Sequence, residues 1–343
     1  MSPPASSSLL AFALLVSGLV AGWNSARADE LPADTNMIER LTPEQARQLA
    51  EEFPGVDMEL EFNHGRKVHC SKCLPLNGLT SLDRETAQAL AGYDKGPLAL
   101  NGLTTLDAAA AEAIAGFKGA YFSLRGLTTL DAAVAKGLAR FEGNVLYLHG
   151  LTALDAAAAQ ELARFNGKVL YLDGLTTLDA AAAEPLAKFK GTLLELGGLE
   201  AVDAATAGAL VGFGSDRPGR ILKLDGLTAI DPATAQALAA SKAWLGQLPR
   251  LTAFEAPDSV AVAQALATRK GRLALPNLRK ISPKTLTALI EKRDVEIPLV
   301  ETLDLIPEPD GSGNDDFVIP EWLEEREAQR REQERDRAKL TPG

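Results

Sequence analysis

The chain has 343 residues, with 35 Lys and Arg against 46 Asp and Glu, a formal charge of −11, and 46% hydrophobic but only 5% aromatic residues. That apolar fraction suffices for a core and excludes wholesale disorder. The acidic balance argues against a nucleic-acid binder, whose affinity rests on Lys and Arg neutralising phosphates, and three His with two Cys leave a thin inventory for catalysis.

In chain order, the first element is an apolar run from Leu9 to Val20, too short to span a bilayer and of the length of a signal-peptide core. Ala26-Arg27-Ala28 supplies a small-residue cleavage site. Residues 1–28 therefore read as a signal peptide, and the mature chain as exported to the periplasm, the cell envelope or the medium. No Lys or Arg precedes the run. An uncleaved signal is the one route by which this reading brings the chain to a membrane.

Residues 29–73 read as an N-terminal cap. Thr42 to Phe53 has the pattern of a short amphipathic helix, with Pro43 at its first position and Gln45 placed to complete a capping box with Thr42. Asp57 to Lys72 is an insertion that carries His64, His69 and Cys70, with Cys73 just beyond it. Two cysteines in an exported chain most often pair, so Cys70 and Cys73 read as a local disulfide with no metal and no cofactor. The alternatives are zinc held together with His64 and His69, or a redox-active C-x-x-C.

From residue 74 to 306 the chain repeats itself. Gly-Leu recurs at Gly78, Gly102, Gly126, Gly150, Gly174 and Gly198, 24 residues apart, then at Gly226 after 28, with degenerate copies around Arg250 and Asn277. The consensus is L-x-L-x-G-L-T-x-L-D-x-x-x-A-x-x-L-A-x-F-x-G. Its first part alternates like a half-buried strand. The spacing predicts strands at Leu74–Leu76, Leu98–Leu100, Phe122–Leu124, Leu146–Leu148, Leu170–Leu172, Leu194–Leu196 and Leu222–Leu224, parallel and in register.

After the Asp, apolar residues follow a helical stripe, as at Ala111, Ile114, Ala115 and Phe117. Asp83, Asp107, Asp131, Asp155, Asp179, Asp203 and Asp231 are then N-caps rather than a cation ladder. The Gly before each Leu-Thr is either a turn residue at positive φ or one pressed against a neighbouring backbone. Pro185 falls inside a predicted helix and should kink or shorten it.

One copy cannot fold alone. Ordering backbone costs about 1–2 kcal/mol per residue, whereas a fully buried Leu or Phe returns about 1.5–3 kcal/mol. The copies must therefore stack and cover one another. Strands about 4.8 Å apart on one side and helices about 10 Å across on the other bend the stack. The predicted fold class is α/β: a curved solenoid with parallel strands on the concave face and short Ala-rich helices on the convex face.

The L-x-L pairs (Leu98/Leu100, Leu146/Leu148, Leu170/Leu172) and the following Leu103, Leu151 and Leu175 resemble those of bacterial leucine-rich repeats, over roughly Leu41 to Leu305. The Asn that such repeats stack along the turn does not recur here; Thr80, Thr104, Thr128, Thr152 and Thr176 recur instead and are placed for a hydroxyl ladder. The resemblance implies an interaction scaffold that binds proteins or peptides through its concave face, and no enzyme.

Residues 307–343 read as a Pro-, Gly- and Asp-rich linker followed by a charged, solvated tail, with Glu321 to Lys339 helical at best and paired through Glu327 and Arg331. The functional lead is the set of outward strand positions, which vary while the framework repeats. One column runs Pro75, Ala99, Ser123, Tyr147, Tyr171, Glu195, Lys223 and Gln247; its neighbour runs Asn77, Asn101, Arg125, His149, Asp173, Gly197, Asp225 and Pro249. Tyr147 and Tyr171 should project into solvent beside Arg125, His149 and Asp173 as an amphipathic patch, continued by Glu195 and Lys223. The expected partner is an unidentified protein or peptide bound by a monomer. An envelope spacer that self-associates is the second reading, and a metal or redox module built on the insertion the third.

Overall fold

Each repeat Asp starts a helix. In the computed structural model, which describes residues 31–61, 67–308, 311 and 318–340, the carboxylates of Asp83, Asp107, Asp131, Asp155, Asp179, Asp203 and Asp231 each accept the backbone N–H three residues on, at 2.7–2.8 Å. The helices so capped are α2 (Arg84–Leu90), α3 (Ala108–Ile114), α4 (Ala132–Leu138), α5 (Ala156–Leu162), α6 (Ala180–Leu186), α7 (Ala204–Val211) and α8 (Pro232–Ala240). Thr42 and Gln45 form the expected capping box on α1 (Pro43–Glu52). The signal-like segment and His64 lie outside the described residues.

Between the helices run the short strands β3 (Leu98–Ala99), β4 (Tyr121–Ser123), β5 (Val145–Tyr147), β6 (Val169–Tyr171), β7 (Leu193–Glu195) and β8 (Ile221–Lys223). They pair in parallel with Leu98, Phe122, Leu146, Leu170, Leu194 and Leu222 in one row. The pairing begins up to one residue earlier than the L-x-L motif predicts, at Tyr121, Val145, Val169, Leu193 and Ile221, and each strand ends before the motif's second Leu. That second Leu still donates its N–H to the next rung, as Leu148 does to the Tyr171 carbonyl at 3.0 Å, but its own carbonyl already turns the chain toward the glycine, receiving Leu151 N–H at 3.3 Å.

The insertion is a hairpin. β1 (Val56–Glu61) pairs antiparallel with β2 (Lys67–Pro75), and β2 runs on to pair with β3, so the sheet has eight strands in sequence order. Beyond β8 the sheet thins to single bridges and two-stranded pieces. β9 (Leu273–Ala274) pairs with β11 (Val295–Glu296), and β10 (Lys280–Ile281) with β12 (Asp304–Leu305). Helices α9 (Ser259–Ala267) and α10 (Pro283–Ile290) complete the outer row.

The core is a single buried stripe from Leu31 to Leu323. On its inner wall the Phe of each repeat stacks on the next: Phe117, Phe141, Phe165, Phe189 and Phe213 have ring centroids 5.9–6.3 Å apart and planes within 8°. On the sheet face Tyr147 and Tyr171 are 4.8 Å apart. The rungs therefore fan open away from the sheet, and the strands line the concave side.

Glycine makes this close stacking possible. Gly126, Gly174 and Gly198 have ordinary negative-φ backbone, but a Cβ there would meet the carbonyl oxygen of Asn101, His149 or Asp173 on the preceding rung at 1.9–2.0 Å. Close approach, not positive φ, is what fixes these positions. Pro185 neither shortens nor breaks α6, which has the same seven residues as its neighbours. It forfeits one helical hydrogen bond to Ala181, whose side is exposed to water, and the Asp179 cap and adjacent helices hold the rest.

The tail is not a free solvated helix. α11 (Glu321–Leu340) buries Leu323 fully and Glu327 to 2% exposure. Arg326 donates to the carbonyls of Arg293 and Val295 at 2.9 Å, Arg330 to that of Ile297 at 2.8 Å, and the Glu327 carboxylate accepts Val300 N–H at 2.7 Å. These groups stand in for a further rung along the open edge of β11, as an unpaired sheet edge requires. The charge pattern that reads as solvation is in part a set of caps for backbone.

Candidate functional site

The parallel ladder sets the spacing of the concave face. The carbonyls of Tyr147, Tyr171, Glu195 and Lys223 each accept an N–H from the preceding rung, at 2.9–3.0 Å. Their side chains consequently stand in register, one rung apart. Tyr147 and Tyr171 stack with planes 15° apart, and the His149 ring lies against both, 5.6 and 5.3 Å between centroids.

The Tyr pair is spaced as expected, but it does not project into solvent: Tyr147 is 6% exposed and Tyr171 is half-buried. Rungs this close cover each other's outward side chains, an effect that alternation within one strand does not reveal. His149 and Asp173 are likewise enclosed, at 5% and 6% side-chain exposure, with His149 Nε2 at 3.3 Å from Asp173 Oδ2. Ser123, in the same column as the tyrosines, is also buried and donates to Asn101 Oδ1 at 2.6 Å.

Burial sets the protonation of this floor. It drives the His149 pKa down to about 3, helped by the nearby Arg125 guanidinium. Burial raises Asp173 to about 7; Glu195 and Asp225 add to the rise, while the Gly197 N–H and Lys223 oppose it. Arg125 is lowered by burial and held up in part by Tyr147 and Asp173. Around neutral pH the imidazole is uncharged and Asp173 exchanges its proton. Glu195 and Lys223 form an ion pair at 3.3 Å, with side chains 14% and 18% exposed.

Asx side chains form a ladder on either side of the patch, in the same column as Arg125 and His149, contrary to the expectation that no laddering Asn recurs. Asn36 Oδ1 accepts Asn77 N–H at 3.4 Å, Asn77 Oδ1 accepts Asn101 N–H at 3.3 Å, Asn101 Oδ1 accepts Arg125 N–H at 3.0 Å, and Asp173 Oδ1 accepts Gly197 N–H at 3.1 Å. It occupies the second outward column, before the glycine, and Arg125 and His149 take its place in the middle. The threonines act differently from a hydroxyl-to-hydroxyl ladder. Thr128 and Thr176 donate to the carbonyls of Thr104 and Thr152, at 3.2 and 3.5 Å.

The sequence reading missed a third outward column. Tyr121, Val145, Val169, Leu193 and Ile221 sit one residue before the motif's first Leu, on the same sheet face as the tyrosines. Tyr121 is 42% exposed, and Val169, Leu193 and Ile221 are half-buried. Their apolar character is visible in the sequence, but they precede the Leu with which the repeat motif starts. The concave face thus has an apolar edge, an aromatic and charged middle, and a polar edge with Asp173, Gly197 and Asp225.

In the hairpin, Cys70 and Cys73 are paired as a disulfide with Cα atoms 6.0 Å apart, 4% and 1% exposed. Lys72, at φ 53°, turns the strand so that both cysteines face inward. Asp57 accepts Ser71 Oγ and Lys72 N–H at 2.8 and 2.9 Å, and Tyr93 donates to the Lys72 carbonyl at 2.6 Å. His69 is exposed on the opposite side. Among the described residues no three His, Cys, Asp or Glu converge as metal ligands. Compared with known proteins, the chain matches no family model and no curated sequence.

Proposed function

We propose that the chain is an exported, non-enzymatic scaffold of the leucine-rich-repeat kind that binds a protein or peptide on its concave face. One observation carries this reading. Rungs with Ala99 or Ser123 in the middle column complete the fold as well as rungs with Tyr147, Tyr171 or Glu195. Burying Arg125, His149 and Asp173 there costs desolvation. Such groups, clustered and perturbed, mark a candidate functional site.

Binding is favoured over catalysis because His149, the best general base by type, is closed in by the two Tyr rings. Export rests on the Leu9–Val20 run with Ala26-Arg27-Ala28 and agrees with a buried Cys70–Cys73 pair. A monomer is favoured over a self-associating spacer because α11 caps the β11 edge on which end-to-end stacking would extend the concave sheet.

The test uses the half-buried apolar column, since the tyrosines are too enclosed to change without cost. The full chain and two variants, Leu193→Asp on the concave face and Ala181→Asp on exposed α6, are used to capture partners from envelope extracts. All three should melt alike. The concave variant should lose a partner that the other two retain; retention by Leu193→Asp, or loss by Ala181→Asp alone, places binding elsewhere.

A further inference from the structure

One apolar column stays partly open on the concave face. Val169, Leu193 and Ile221 stand side by side on β6, β7 and β8, each half-buried. Their N–H groups donate to the carbonyls of Asn144, Lys168 and Thr192 at 2.8–3.1 Å, and β6 and β7 are paired along both edges. The column therefore offers a partner side chains and no ladder. An extended segment laid on it would bury backbone N–H and C=O groups with nothing opposite, which is costly. A helix bonds its own backbone. The unpaired charge beside the column is positive. Lys168 precedes Val169, and Lys190 lies three residues before Leu193; both are exposed, and neither forms an ion pair with a described residue. On the opposite flank Glu195 and Lys223 neutralise each other at 3.3 Å.

We propose that this column receives an amphipathic α-helix of a partner protein, lying across the strands with acidic residues on the flank nearest Lys168 and Lys190. The inference rests on the concave-face reading above and names the form and charge of its occupant. Spacing selects the helix as well. Three rungs about 4.8 Å apart span roughly 10 Å. Helix residues at i, i+4 and i+7 rise by about 6 and 10.5 Å, so all three reach their rungs within roughly 1 Å. Same-face residues of an extended chain fall about 6.7 and 13 Å along and overshoot the third rung by roughly 4 Å. Curvature acts in the same sense. Tyr147 and Tyr171 on the sheet face are 4.8 Å apart, whereas the Phe rings across the core are 5.9–6.3 Å apart. Side chains thus converge toward the concave side, which suits a rounded partner with closely spaced anchors.

The experiment is selection of random twenty-residue peptides displayed on phage against the immobilised full chain, followed by affinity and circular dichroism measurements on synthetic copies. Selected peptides should carry apolar residues at i, i+4 and i+7 with Asp or Glu on one flank, and should gain helicity on binding. A proline at the peptide's centre should weaken binding by about tenfold or more. The double change Lys168→Glu and Lys190→Glu should weaken it by about threefold or more at low salt. Peptides that bind the Leu193→Asp variant undiminished sit elsewhere, and the concave-face reading falls with the inference. Peptides lost on Leu193→Asp that tolerate the proline, or ignore the two lysine substitutions, overturn the acidic helix alone. Selection that enriches nothing overturns both. Melting temperatures of the variants serve as the folding control.

Discussion

At the scale of single residues, the buried pair His149 and Asp173 makes stability depend on pH in two opposite senses. Asp173, raised to about 7, binds its proton more tightly in the folded chain. Its contribution is therefore fully present below the unfolded value near 3.8 and is lost as pH rises through 7. His149, lowered to about 3, resists protonation when folded, so its contribution is present above about 6.5 and is lost as pH falls toward 3. Between these limits the two slopes cancel in part. Asp173→Asn should remove the alkaline loss and raise stability at pH 8, by the order of a few kcal/mol at about 1.4 kcal/mol per pKa unit. Urea melts at pH 5 and pH 8 check this, and a gain confined to pH 5 would contradict it.

Glycine gives a second test at the same scale. Gly126→Ala sets a Cβ 2.0 Å from the Asn101 carbonyl oxygen, where only the backbone can yield, and should cost at least about 2–3 kcal/mol. Gly208→Ala, in the middle of α7 with nothing within 4 Å of the new Cβ, should instead gain roughly 0.5–1 kcal/mol. Equal effects of the two changes would mean that the rungs are not held as close as their backbones indicate. Tyr147→Ala belongs with the core substitutions, since the ring is 6% exposed, and should cost roughly 2–4 kcal/mol.

At the scale of elements, the two ends of the solenoid need different devices. Residues 31–42 lay Asn36 and Glu39 along the first rung, where the Glu39 carbonyl accepts Thr80 N–H at 3.1 Å. At the far end α11 supplies side chains rather than a strand. Leu323→Ala should therefore cost about 2–5 kcal/mol and expose β11, seen as faster amide exchange at Val295 and Ile297. Unchanged exchange there would assign the protection to the rung itself. The regular repeats were legible because each obeys local rules: Asp caps, alternation, and a helical stripe that pairwise stacking enforces. The docking of α11 was not legible, because its buried Leu323 is one residue among charges and its arginines bond to backbone carbonyls, which leave no mark in the sequence. The patch was half legible. The variable columns named its residues, but burial of Tyr147, His149 and Asp173 comes from rungs 24 residues away, and the Val169, Leu193 and Ile221 column lay outside the chosen motif.

At the scale of the whole molecule, the continuous core makes rungs interchangeable in a way that ordinary domains are not. Each rung touches only its neighbours, so stability is close to a sum of rung terms and interface terms. Removing residues 101–124, one full period, joins Leu100 to Arg125 and leaves every column in register: Asn77 Oδ1 meets Arg125 N–H in place of Asn101 N–H, and Phe117 is lost from a stack that Phe141 still continues. Such a deletion should give a folded chain with a single melting transition, lowered by no more than one rung's share. It should keep the affinity of any ligand held at Glu195 and Leu193, since those rungs are untouched. Removing only residues 101–112 fuses Leu100 to the last two residues of α3, Ala113 and Ile114, and breaks the period, so the side chains that follow no longer meet their columns. That variant should lose most of its circular dichroism and its ligand together. If both deletions fold equally well, the rungs are not the cooperative unit. If neither folds, the stack depends on Asn101, Phe117 and Phe122 far more than their repeated neighbours indicate.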